Sequence, residues 1–359
     1  MNPLLTPMQL GALSLPNRML MAPLTRTRAS AGHLPNALMA EYYAQRASAG
    51  LIITECTMVR PRTSAFGADP GIYDHAQLQA WKQTTEAVHA KGGRIFMQIW
   101  HAGRAAHPAL NDGAQPVSSS ALAIEGETHT PEGKKPNVAA RALRIDEIPA
   151  LVQAYAEGAR RAREAGFDGV EVHGANGYLI DQFLRDGANR RGDAYGGSLP
   201  NRARFLFEVL EAVCAEIGPG RVGLRLSPLN SYNSMIDSDP LGLTAFLAEQ
   251  LNRFGLAYLH LMRADFFGVQ KADVMTVARE KYKGVLIGNM GYGAEEASQA
   301  IAAGKLDAVA FGTGFLANPD LPARVERGAA WNASDSSTFY TPGPKGYTDY
   351  PTLELASVA

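Results

Sequence analysis

The clearest chemical signal in the sequence is one short stretch, His173-x-x-Asn176-x-Tyr178. A His and an Asn three apart in a turn can present two hydrogen-bond donors to one oxygen. A Tyr two residues on adds a weak acid whose ordinary pKa is roughly 10. Two donors and an acid make an electrophilic clamp with a proton source. The blander alternative is a hydrogen-bonded loop beside a core tyrosine. Arg225 stands in an otherwise apolar run, RVGLRLSP. A buried charge is costly unless paired, so Arg225 either pairs with Glu55 or Glu171 or lies beside an anionic cofactor atom. Gln98 and Thr25 offer an amide and a hydroxyl to ring carbonyls, or are satisfied core polar groups. Gly288 and Gly291, then Gly312 and Gly314, let backbone N–H groups approach an anion, or simply make tight turns. Mostly neutral hydrogen-bonding groups around one cation suit a flat, planar cofactor that carries a phosphate.

Other chemistries lack their residues. A retaining glycosidase needs two carboxyls about 5 Å apart at strand ends, but Glu55 and Glu171 fall inside predicted strands. A Schiff-base enzyme needs a lysine at the site, and no predicted strand contains one. A metal hydrolase needs converging ligands. Only His101 and His173 fall at strand ends, with no His-x-His pair, so no metal is expected.

Such residues need a scaffold that gathers many strand ends. Short apolar runs recur at 18–26, 51–59, 94–101, 169–175, 221–228, 258–264, 284–291 and 308–315. They are nearly continuous in apolar residues, as parallel strands covered on both faces are. Helical patterns alternate with them at 36–49, 76–91, 146–165, 200–217, 242–254, 271–282 and 294–303. In 146–165, Asp146 is the expected cap, apolar residues recur from Ile148 to Ala159, and Gly166 ends the helix. Eight β/α units in series predict an α/β (β/α)8 TIM barrel, with chemistry at the C-terminal strand ends. No GxGxxG follows the first strand, against a doubly wound sheet. Residues 1–359 read as one barrel domain. A hairpin in 1–17 caps its bottom, long loops follow the third and fourth strands, 102–145 forms a lid or insertion, and 331–359 is a polar C-terminal extension.

Composition agrees. With 359 residues, 46% hydrophobic and 19% charged, the chain can build a large core. The formal charge of -1 argues against nucleic-acid or anionic-membrane partners. Two cysteines, Cys56 and Cys214, cannot make a disulfide framework or an iron–sulfur cluster. No signal peptide or membrane-length apolar run is visible, so a cytoplasmic protein is expected, either monomer or homodimer.

Together these residues resemble the old yellow enzyme family, FMN-dependent ene-reductases. The similarity spans nearly the whole chain: Ala22-Pro23-Leu24-Thr25-Arg26, Gln98 to Arg104, Val170 to Leu179, Asp181 to Leu184, Tyr195 to Ser198 with Asn201-Arg202, Ala317 to Leu321, and Gly346 to Pro351. The resemblance implies a tightly but non-covalently bound FMN, reloaded by NADPH or NADH in a ping-pong cycle. Thr25 would bond flavin O4, with the Pro23–Thr25 backbone near N5. Cys56 would line the ring, Gln98 its pyrimidine edge, and Arg225 the N1/O2 region. Asn289 to Gly291 and Gly312-Thr313 would hold the phosphate. His173 and Asn176 would grip the carbonyl or nitro oxygen of an electron-poor alkene. Tyr178 would protonate Cα after hydride reaches Cβ. Phe66, Trp100 and Tyr347 would shape the pocket. Two departures stand out. Thr313 replaces the phosphate-binding arginine of many relatives, and Phe66 a common tyrosine. Reduction of nitroesters, nitroaromatics or quinones at the same site, and a flavin-binding sensor without turnover, are the alternatives.

Overall fold

The computed structural model describes residues 2–356. Its eight barrel strands are β1 (Met19–Met21), β2 (Leu51–Met58), β3 (Ile95–Trp100), β4 (Gly169–Gly174), β5 (Val222–Leu226), β6 (Tyr258–Met262), β7 (Leu286–Asn289) and β8 (Ala308–Phe311). They hydrogen-bond in sequence order, and β8 closes on β1. Every neighbouring pair is parallel. Each strand is buried along its length, so its apolar residues serve two cores. Met19, Ile52 and Val170 pack outward against the helices. Leu20, Leu51, Ile53, Phe96 and Ile287 fill the inside.

The helices that follow are α1 (Ala37–Gln45), α2 (His75–His89), α3 (Ile148–Glu164), α4 (Leu199–Ile217), α5 (Pro240–Leu251), α6 (Val274–Lys281), α7 (Ala294–Ala302) and α8 (Leu321–Arg327). Asn36, Asp74, Asp239 and Asp273 cap α1, α2, α5 and α6, each side chain accepting an amide of the first turn. The expected Asp146 cap is wrong. Residues Ile145–Glu147 form a 3-10 turn, Glu147 accepts the Arg144 amide, and Asp146 pairs with the Arg144 side chain instead.

The first strand is shorter than its apolar run. After Met21 the ladder keeps one bond, Ala22 N to Phe311 O at 3.0 Å, and Pro23 has no N–H with which to continue it. Residues 22–26 are therefore released to the barrel mouth. At the other end, Met8–Leu10 pairs antiparallel with Leu13–Leu15. Leu10 and Leu15 plug the barrel interior beneath Leu20 and Phe96. Gly11 makes the turn at φ +52°, and a Cβ there would lie 2.1 Å from Gly220 O.

Two loops and the tail build up the top. Between β3 and α3 lies a second hairpin, Glu127–Thr130 with Gly133–Pro136. The loop after β4 contains a short helix, Leu179–Leu184. The tail returns over the mouth. Arg28 holds it by donating to the carbonyls of Thr338, Phe339, Gly343 and Lys345. No helix among the described residues is long and apolar enough to cross a membrane.

Candidate active site

The C-terminal strand ends enclose a cavity of about 440 Å³. Its lining gathers residues that are far apart in sequence. Pro23 and Thr25 come from beyond β1, Cys56 from β2, Gln98 from β3, and Arg225 from β5. Asn289 comes from β7 and Gly291 from just beyond it, and Gly312 and Thr313 follow β8. His173, Asn176 and Tyr178 share one wall with Phe66 nearby.

Local hydrogen bonds set which atoms of that wall remain free. The Ala175 amide donates to His173 Nδ1 at 3.3 Å, which leaves the ring proton on Nε2. Asn230 Nδ2 donates to Asn176 Oδ1 at 2.8 Å, so the Asn176 amide keeps its N–H donors. Asn176 has φ +57°, a left-handed position that asparagine tolerates, and its backbone N–H is held by Ser227 Oγ. The pair thus offers donors only. Burial, with Arg225 and His260 nearby, holds the His173 pKa well below the usual imidazole value, so the ring is neutral. Burial, reinforced by Tyr232 and Cys56, pushes Tyr178 well above an ordinary phenol, so its proton is retained.

Beneath this wall, on the consecutive strands β3 to β6, lies a buried polar network. Gln98 Nε2 donates to Glu171 Oε1 at 2.8 Å. Tyr258 OH and His260 Nδ1 donate to Glu171 Oε2 at 3.1 and 2.8 Å. Burial opposes the Glu171 charge, but His260, Arg225 and these bonds outweigh it, and the carboxylate lies below its ordinary range. Arg225 Nη2 donates to Asn289 Oδ1 at 2.8 Å, whereas its Nε is buried without a partner. Thus Arg225 makes neither of the direct pairs expected as alternatives; Glu171 acts on it only through its field. Thr25 Oγ1 meets Cys56 Sγ at 3.2 Å.

Two expected pocket residues lie elsewhere. Tyr347 is wholly buried, stacked on Tyr42 at 4.0 Å and covered by Arg28, so it is core rather than lining. Trp100 is also wholly buried. It packs edge-on to Tyr178 at 5.0 Å and against Phe66, behind the wall it was expected to form. Sequence reasoning missed Tyr232, Phe266, Phe339 and Tyr340, which all line the cavity. They sit on irregular loops, where no periodicity marks a facing side; a cluster of aromatics outside any strand or helix was the only available sign. Phe66, Tyr178, Tyr232 and Tyr340 also border an adjoining chamber of about 1040 Å³, which reaches Glu125, Glu127, Met235 and Ile236.

The set fits a flavin. An unpartnered buried guanidinium N–H stands beside a Gln, a Thr and the Gly-rich ends of β7 and β8, where a Cβ on Gly312 would meet nothing nearer than Leu24 at 3.5 Å. No group of three or more His, Cys, Asp or Glu suited to a metal occurs among the described residues.

The family model for NADH:flavin oxidoreductase / NADH oxidase matches residues 3–332. A probable flavin mononucleotide-dependent alkene reductase of Leishmania infantum is 50% identical over 355 residues, covering 97% of each chain. Among solved structures, morphinone reductase in complex with tetrahydroNAD superposes with a TM-score of 0.93 at 48% identity, covering 98% of this chain and 97% of that one. The old yellow enzyme homologue from Zymomonas mobilis gives 0.95 at 45% identity, covering 98% and 99%.

Proposed function

Since the chain belongs to the NADH:flavin oxidoreductase / NADH oxidase family, the old yellow enzymes included, we propose that the wall of His173, Asn176 and Tyr178 is where it binds and protonates activated alkenes. The protein is an FMN-dependent, NAD(P)H-driven ene-reductase. FMN, when bound, carries hydride from reduced nicotinamide to the alkene β-carbon. Pro23, Thr25, Cys56, Gln98 and Arg225 are assigned to its ring, and Asn289, Gly291, Gly312 and Thr313 to its phosphate.

The observation that carries the reading is the donor-only state of His173 and Asn176. Both hold the carbonyl or nitro oxygen of the substrate. Negative charge grows on that oxygen as the β-carbon is reduced, so the two bonds strengthen toward the transition state, where they accelerate the step. Neutral His173 donates without surrendering its proton. Tyr178 gives its proton to the α-carbon. Its raised pKa keeps the proton on the phenol until a strongly basic carbon draws it away. Phe66, Tyr232 and Tyr340 give the substrate apolar ring surface beside this wall. The same clamp accepts nitro compounds and quinones, and the adjoining chamber takes the body of a bulky apolar enone.

The test is an anaerobic visible spectrum. Addition of NADH or NADPH should bleach the flavin band, and 2-cyclohexenone should restore it. Bleaching without recovery would remove the enone assignment and leave nitro compounds or quinones.

A further inference from the structure

Where β7 and β8 end, the cavity is lined by Met290, Gly291, Gly312, Thr313 and Gly314, with no cationic side chain among them. The two arginines that line the cavity are committed elsewhere. Arg26 donates to Tyr42 OH and to the carbonyls of Phe339 and Gly346, and Arg225 to Asn289. A phosphate at this end meets amides and a threonine hydroxyl, without a countercharge from the lining. The guanidinium that serves this end lies one layer behind. Arg263 follows β6. Its Nε donates to the Met290 carbonyl at 2.8 Å and its Nη2 to the Gly291 carbonyl at 3.1 Å. Glu296 on α7 grips it twice, with Nη2 3.0 Å from Oε2 and Nη1 bonded to Oε1. The guanidinium lies over the Tyr292 ring, 3.7 Å from its centroid.

A trans peptide points its C=O and N–H in opposite directions. With Arg263 on the carbonyls of Met290 and Gly291, the amides of Gly291 and Tyr292 turn to the other side. Neither amide donates a hydrogen bond to any described residue. The backbone turns here through two left-handed residues, Met290 at φ +86° and Gly291 at φ +72°. A methionine takes that conformation only at a cost, and the two bonds from Arg263 hold it there. A cation bonded to a carbonyl also polarises the peptide, which makes the N–H on its far side a stronger donor.

We infer that Arg263 prepares the anion-binding end of this cavity, orienting the Met290–Gly291 peptides so that their amides meet the cofactor phosphate and supplying the positive charge that this end of the lining lacks. The inference rests on the assignment of FMN to the cavity with its phosphate between Gly291 and Thr313. Arg263 is a positioning residue, and Glu296 sets how much of its charge the anion feels.

The experiment titrates flavin-free protein with FMN and, separately, with riboflavin, which has the same ring system and no phosphate, following quenching of flavin fluorescence. Arg263→Ala should weaken FMN about tenfold or more while moving riboflavin less than about twofold, since only the charge-assisted contribution is lost. Arg263→Lys, with charge but no fork, should fall between. Glu296→Gln should tighten FMN alone. Unchanged riboflavin binding also reports that each variant is folded. An equal loss for both flavins, or unchanged FMN affinity in Arg263→Ala, would overturn the inference. If the unaltered protein takes up neither flavin, the cofactor reading itself falls and the inference with it.

Discussion

At the scale of single residues, function depends on which proton each group keeps. Tyr178 is held protonated by burial and His173 is held neutral by it. Neither therefore changes state in the ordinary working range. A depressed imidazole pKa keeps the neutral form as pH falls through about 6.5, and a raised phenol pKa keeps the acid as pH rises toward about 10. The rate at which enone reoxidises the reduced enzyme should thus be flat between about pH 6 and pH 9. An inflection near the ordinary imidazole value would show that His173 is solvated and titrates. Tyr178→Phe should slow that half-reaction with enones on the order of 100-fold, the usual scale for a placed acid, while flavin bleaching by NADH keeps its rate. Stopped-flow absorbance separates the two, and equal slowing of both would assign Tyr178 to ring packing. Glu171 works at one remove, through Gln98 and the field on Arg225. Glu171→Gln leaves Arg225 without that opposing charge, favouring the more negative reduced cofactor. The midpoint potential should rise by about 30 mV or more, a tenfold change for a two-electron couple; an unchanged potential in spectroelectrochemical titration would confine Glu171 to a structural role. His173, Asn176 and Tyr178 were legible in the sequence because their spacing is local. The tucking of Trp100 behind Tyr178 was not, because it depends on the neighbouring ring of Phe66.

At the scale of elements, strands proved more legible than their ends. An apolar run marks a doubly covered strand, but the run 18–26 contains only Met19–Met21 as ladder, and the remainder became cavity wall at Pro23. The start of α3 slipped for a related reason. Asp146 looked like a cap by residue type, yet Arg144 claimed its carboxylate. The loops above the barrel line the larger chamber, and their shapes have no periodic signature. The hairpin Glu127–Thr130 with Gly133–Pro136 stands with the 231–236 loop around the larger chamber. Replacing residues 128–135 with a short Gly-Ser turn should raise KM for a polycyclic enone severalfold and leave 2-cyclohexenone nearly unchanged. Equal effects on both substrates would mean that the hairpin supports the catalytic wall rather than the chamber.

At the scale of the molecule, the chain's end is folded back onto its beginning, and that closure completes the site. Arg28, just past β1, is buried and takes five backbone carbonyls, of Arg26, Thr338, Phe339, Gly343 and Lys345. With Thr27 donating to the Tyr340 carbonyl, these bonds hold Phe339 and Tyr340 over the cavity, although Tyr340 itself remains 61% exposed. Nothing in the polar composition of 331–359 announces this, because the partners are main-chain oxygens, which any sequence supplies. Arg26 adds bonds to Phe339 and Gly346, and Tyr347 packs on Tyr42, but Arg28 takes the largest share of the tail's carbonyls. Each hydrogen bond to a charged group contributes about 1.5–3 kcal/mol, and removing the cation leaves several buried carbonyls without donors. Arg28→Ala should lower Tm by several degrees and raise KM for enones, since the 338–345 segment that carries Tyr340 loses four of its bonds, while the flavin spectrum persists because Gln98, Arg225 and Asn289 stand on strands that Arg28 does not touch. Loss of stability with KM intact would show that the tail merely braces the barrel. A joint change would show that the aromatic roof over the substrate is held by the same four bonds that tie the tail to the segment after β1.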